Sequence, residues 1–128
     1  TYGHQTGDFI LKEFCRITKE VIREYDLLAR YGGEEFAYVL PETSQEEAQI
    51  VAEKLRKTVE EVTFDDGRQS YHVTISIGVA TARPGVEDFS KNDFIGAADE
   101  ALYEAKNGGR NRIALYTPKK KKKWSLFK

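Results

Sequence analysis

The chain has 128 residues, 40% of them hydrophobic and 32% charged, enough to bury one domain's core and too few for two; this excludes a disordered or low-complexity protein. No apolar run approaches the roughly 20 residues that a membrane span needs. The net charge of −1 is uneven: residues 119–128 carry six lysines and no acid, so residues 1–118 set 14 basic groups against 21 acidic ones, which argues against nucleic acid as a partner of the folded part.

In chain order, apolar residues first recur between Gly7 and Arg23 at Ile10, Leu11, Phe14, Cys15, Val21 and Ile22, with Thr18 filling the missing step; the period is helical. Two β-prone runs, Leu27 to Tyr31 and Phe36 to Leu40, flank Gly32-Gly33-Glu34-Glu35, and a glycine pair between such runs predicts a tight hairpin. Pro41 stops the second run, and Thr43, Ser44, Glu46 and Glu47 give overlapping capping-box signals for a second helix. Its core face is expected to carry Ala48, Val51, Ala52, Leu55, Val59 and Val62. Asp65-Asp66-Gly67 marks a turn, and His72 to Ala80 alternates bulky with small residues, as a strand does when something packs closely on its small face. A last helix is predicted from Asn92 to Asn107, with Ile95, Ala98, Leu102 and Ala105 inward and Gly108-Gly109 as its C-terminal stop, before a closing strand from Ile113 to Tyr116.

The order α-β-β-α-β-α-β, with one hairpin, implies an α+β fold: an antiparallel or mixed sheet flanked by helices. Residues 1–117 read as one domain, and 118–128 as a basic, solvated, disordered tail. Cys15 has no cysteine to pair with and reads as a buried, inert thiol. Its isolation agrees with a reducing, cytoplasmic location for this domain, including one in a membrane-tethered parent.

The hairpin carries the first chemical signal. Adjacent carboxylates on a rigid turn can hold a divalent cation, and glycines let a phosphate approach the backbone. Alone, Glu34 and Glu35 read as an exposed, solvated turn rather than a site. Gly32-Gly33-Glu34-Glu35-Phe36, however, matches a known signature, and four further segments accompany it in order. Tyr2-Gly3-His4-Gln5-Thr6-Gly7-Asp8 opens the first helix, and Arg30-Tyr31 precede the glycines. Thr74-Ile75-Ser76-Ile77-Gly78-Val79-Ala80 forms the alternating strand, and Ala98-Asp99-Glu100-Ala101-Leu102-Tyr103-Glu104-Ala105-Lys106 with Gly109-Arg110-Asn111 ends the last helix. Together they resemble the GGDEF family of diguanylate cyclases, in its variant with Glu at the third position of the signature.

That resemblance implies a palm-like fold, related to nucleotidyl cyclases, and a transferase of bacterial signalling that condenses two GTP into cyclic di-GMP with release of pyrophosphate. It implies Mg²⁺ or Mn²⁺ as cofactor and a homodimer in which two GTP-loaded domains face each other. Glu34 would be a metal ligand and a candidate acceptor of the 3′-hydroxyl proton, with Glu35 supporting the metal. Gly33 would admit the substrate to the backbone, Asp8 would read the guanine edge, and Lys106 and Arg110 would contact the triphosphate. Each has a plainer reading: Asp8 as an acid near a helix N-terminus, Lys106 and Arg110 as cations at a helix C-terminus.

Arg23 and Asp26 resemble the family's R-x-x-D site for product inhibition. Their plainer reading is an i, i+3 ion pair. Lys54 stands where many members have a further arginine, keeping the charge but losing the planar fork. The family's domain normally begins before Tyr2, with a strand and helix that bring a metal-ligand aspartate and a guanine-reading asparagine. The chain therefore reads as N-terminally truncated, expected to be inactive without that segment, in a parent with an upstream sensory or receiver domain. The alternative is a catalytically silent domain that binds cyclic di-GMP or GTP.

Overall fold

The computed structural model of the chain describes residues 4–21, 27–32, 35–82 and 90–117. Helix α1, His4–Val21, begins three residues before the glycine that the apolar period pointed to. Its buried positions are Ile17, 3% exposed, and Thr18, 0% exposed. The Thr18 hydroxyl donates to the Phe14 carbonyl at 2.8 Å, which satisfies a polar group that burial would otherwise penalise. Ile17 had not been singled out in the sequence; it joins Leu55, Val59, Phe64 and Tyr71 as the core cluster. Cys15 is half-buried and unpaired rather than sealed in the core.

Strands β1, Leu27–Gly32, and β2, Glu35–Val39, pair antiparallel as expected, from Leu27 opposite Val39 to Gly32 opposite Glu35. The register shifts between Arg30 and Gly32, an irregularity that re-aims the end of the ladder. The rings of Phe14 and Phe36 meet with centroids 5.2 Å apart at 50°, so α1 anchors the β2 residue that directly follows Glu35.

Helix α2, Gln45–Glu61, starts with a full capping box: the Glu47 amide donates to Ser44 Oγ at 3.1 Å, and the Ser44 amide to Glu47 Oε1 at 2.9 Å. Ala52, Leu55 and Val59 are buried on its core face. A short hairpin follows that the sequence did not predict: β3, Phe64–Asp65, pairs with β4, Ser70–Tyr71. The expected turn lies inside it, with Gly67 at φ +92, and its cross-strand pair Phe64 and Tyr71 enters the core.

Strand β5 covers only Ile77–Val79 of the predicted His72–Ala80 run and pairs parallel with β6, Ile113–Leu115. The ladder ends with its partner. The crossover between them contains helix α3, Lys91–Asn107, capped by Ser90 with Asp93 in a second capping box. The observed order is thus α-β-β-α-β-β-β-α-β, two strands longer than expected.

The small face of β5 is used as the sequence implied. A side chain at Gly78 would strike the Ala98 carbonyl and the Leu102 amide and stand 2.8 Å from Leu102 Cα. Helix and strand backbones touch there because both surfaces lack bulk. The buried stripe of α3 is Ala97, Ala101 and Ala105. Of the expected inward set only Ala105 is fully buried, while Ile95, Ala98 and Leu102 are half-buried. Ile77 packs instead against the cluster of α1 and α2.

Candidate functional site

Two elements distant in sequence converge at the front of the hairpin. Glu35 opens β2, and Lys106 sits in the last turn of α3. Lys106 Nζ lies 4.0 Å from Glu35 Oε2, with side chains 37% and 49% exposed. An ion pair so open to water contributes little to stability. Its interest is chemical: a carboxylate and an ammonium stand side by side where a ligand can engage both. The approach joins two of the motifs read in the sequence.

The end of α3 is built to a defined geometry. The Gly109 amide donates to the Lys106 carbonyl at 3.3 Å and the Arg110 amide to the Ala105 carbonyl at 3.0 Å. These are the paired bonds of a Schellman stop, with Gly109 at φ +124 in the position that favours glycine. The chain then stays left-handed through Arg110 at φ 62 and Asn111 at φ 48. Non-glycine residues held there cost about 1 kcal/mol or more each and persist only where neighbours fix them.

The neighbours are specific. The Asn111 amide donates to Ser76 Oγ at 3.2 Å. Its side chain accepts from Arg56 Nη1 at 2.9 Å and donates to Glu60 Oε2 at 2.7 Å. Arg56, whose side chain is 12% exposed, also grips Glu53 through two bonds of 2.9 and 2.7 Å and reaches Glu60 at 3.1 Å. The bonds from Glu53 chiefly raise the Arg56 pKa further above its ordinary value. Asn111 first, then Arg56, hold the Glu60 carboxyl below its own, and Arg56 does the same for Glu53. The sequence does not single out Arg56, and it marks Asn111 only as the last residue of the Gly109-Arg110-Asn111 segment. That segment and the i, i+3 and i, i+4 spacing of Glu53, Arg56 and Glu60 mark a motif and charge pairing but not the long-range bond between them.

Asp8 is exposed and lies beyond the first turn of α1, which holds no acid. Lys54 is exposed on α2. Arg23, Asp26, Gly33 and Glu34 lie outside the described residues. The structure therefore brings together Glu35 and Lys106, with Arg110 in the turn that ends the same helix. Among the described residues no three His, Cys, Asp or Glu side chains are grouped to hold a metal ion. Glu35 is the carboxylate beside Lys106 among the described residues; Mg²⁺ is usually bound by one or two carboxylates together with phosphate oxygens, a donor set this arrangement would allow, whereas an all-protein cage it would not. No helix among the described residues is long and apolar enough to cross a membrane.

Comparison with known proteins agrees with this geometry. The profile of the family described as diguanylate cyclase, GGDEF domain, matches residues 1–112. Diguanylate cyclase A of Treponema denticola is 46% identical over 115 residues, covering 90% of this chain and 30% of that protein. The active GGEEF domain of a diguanylate cyclase from Vibrio cholerae superposes with a TM-score of 0.81 at 34% identity, over 92% of this chain and 73% of that one. The GGDEF domain of DgcB from Caulobacter crescentus, solved in complex with c-di-GMP, gives 0.81 at 32% identity, over 90% and 67%. The fold is thus palm-like, an α+β domain. The chain belongs to the GGDEF domain family. It spans about a third of the length of the curated relative named above.

Proposed function

We propose that this domain makes cyclic di-GMP by condensing two GTP. The reading is supported by the convergence of Glu35 and Lys106, which joins an acidic hairpin to a cationic helix end within 4.0 Å. In each half-reaction the 3′-oxygen of one GTP forms a bond to the α-phosphorus of the other. The bond from that phosphorus to the bridging oxygen of the β-phosphate breaks, and pyrophosphate leaves. Two such steps, across two facing copies of the domain, close the ring.

Phosphoryl transfer asks mainly for positioning and for neutralisation of charge. Glu34 takes up the 3′-hydroxyl proton and, with Glu35 and phosphate oxygens, would hold the metal. Mg²⁺ or Mn²⁺, when bound, supplies charge neutralisation on the triphosphate and the departing pyrophosphate. Lys106 and Arg110 hold the phosphates from the opposite side. Asp8 accepts from the guanine edge. Arg23 and Asp26, with Lys54, bind the product and restrain turnover; their chemistry suits guanine and phosphate. The DgcB domain solved with c-di-GMP shows that a relative holds this ligand, and it also keeps open a silent, ligand-sensing variant of the reading.

Glu34→Gln in the full-length protein separates the two. On the catalytic reading it abolishes cyclic di-GMP formation, measured by chromatography, while circular dichroism stays unchanged, because losing a metal ligand removes several kcal/mol of transition-state stabilisation. Undiminished turnover in the variant would remove Glu34 from the chemistry. Absence of turnover in the wild type, with cyclic di-GMP still bound, would establish the sensing variant instead.

A further inference from the structure

The turn after α3 is gripped from two other elements, and what the grip fixes is the backbone beside Arg110. Arg110 has no conformational reason to sit at φ 62, and Asn111 only tolerates φ 48. Released, both would relax toward ordinary backbone angles and swing the Arg110 side chain with them. Helix α2 prevents this from 55 residues away, through Arg56 Nη1 on Asn111 Oδ1 at 2.9 Å. Glu60 takes the other end of the same amide at 2.7 Å, and Ser76, just before β5, takes the Asn111 backbone N–H at 3.2 Å. Each polar end of Asn111 is used, so its side chain has one orientation. Arg56 is rigid in turn, its fork closed on Glu53 and its remaining amine shared between Glu60 and Asn111.

This cluster fills no part of the apolar core, and Glu53 and Glu60 remain 40% and 43% exposed. The Arg56 side chain itself is 12% exposed, but ion pairs whose carboxylates are this open are weak stabilisers. Its evident effect is geometric.

Resting on the reading of Lys106 and Arg110 as triphosphate contacts, we propose that Arg56 and Asn111 are positioning residues for the substrate's phosphates, fixing the left-handed turn through Gly109, Arg110 and Asn111 and so the place from which Arg110 and the end of α3 reach them. Neither touches the substrate. Their effect falls on phosphate recognition and leaves guanine recognition alone, since Asp8 sits on α1, outside the cluster.

The test uses the full-length protein with Ca²⁺ replacing Mg²⁺ to suppress turnover, and measures affinity for GTP and for guanosine. Asn111→Gly keeps the left-handed backbone easy and removes only the side-chain grip, while Arg56→Ala removes it from the other element. Both weaken GTP binding about tenfold, in line with the cost of small misplacements at a positioned site. Guanosine binding and the thermal midpoint stay near wild type, and Arg56→Lys recovers part of the loss. Equal losses for GTP and guanosine would overturn the proposal by making the cluster merely structural. A combined Lys106→Ala and Arg110→Ala variant separates the two layers. If that variant binds GTP normally, the triphosphate reading fails and takes the positioning role with it. If it binds GTP weakly while Asn111→Gly and Arg56→Ala bind normally, the positioning role alone fails.

Discussion

Asp8 lies past the first turn of α1, too far along for the helix N-terminus to account for an acid there, since that attraction fades within one turn. An exposed carboxylate at this point is available to a ligand. Guanine offers it two donors, N1–H and the 2-amino group, and adenine offers no equivalent pair. Asp8→Ala should therefore weaken GTP binding by about 2 kcal/mol, roughly thirtyfold, and leave the weaker ATP binding unchanged in paired titrations. An unchanged GTP preference would return Asp8 to the status of a surface acid. Asp8, Lys106 and Arg110 stood out as candidates in the sequence because each sits inside a contiguous motif. Arg56 did not, and Asn111 stood in the last of those motifs without its partner showing, because their bond spans 55 residues and neither residue type announces such a partner. Ile17 escaped notice for a related reason. The buried Thr18 beside it took the step that the apolar period left vacant, and nothing local showed that both would turn inward.

At the scale of elements, two helices and the first hairpin followed from local chemistry: the Ser44–Glu47 capping box, the apolar period that stops at Gly108-Gly109, and glycines between β-prone runs, while the Ser90–Asp93 capping box came only with the structure. The strands that went wrong were those defined by their partners. Residues 72–76 alternate as well as any strand, yet the ladder of β5 stops where β6 stops, at Ile77–Val79 against Ile113–Leu115. The β3–β4 hairpin joins runs of two residues each, too short for any period to show. Gly78 was legible as a place of close packing, and the structure names what packs there. A methyl group at that position meets the backbone of α3 rather than a side chain that could move aside. Gly78→Ala should therefore lower stability by about 3 kcal/mol, at the upper end for overpacking, with denaturant unfolding as the measure. Because β5 carries β6 and α3 on to Lys106 and Arg110, the same substitution should also reduce GTP affinity at temperatures where the variant is still folded.

Across the whole molecule, residues 1–118 carry 21 acidic groups against 14 basic ones, a surface unfavourable to a free polyanion. The proposed site also stands at the end of α3, not its beginning. Phosphate sites at helix beginnings draw on backbone N–H groups that no side-chain substitution removes. At Gly108 the helix presents carbonyls, whose partial negative charge disfavours the same ligand. The attraction here must then come from side chains, Lys106, Arg110 and the Arg112 guanidinium packed on Gly108 and Gly109, and from any accompanying metal, and it is reversible in sign. With these cations present, added salt screens an attraction and loosens metal-free GTP. With Lys106, Arg110 and Arg112 all replaced by alanine, what remains is repulsion, and added salt should tighten GTP binding. A titration series in rising potassium chloride would read that inversion directly, and slopes of the same sign in the two proteins would show that backbone groups, not these side chains, hold the phosphates.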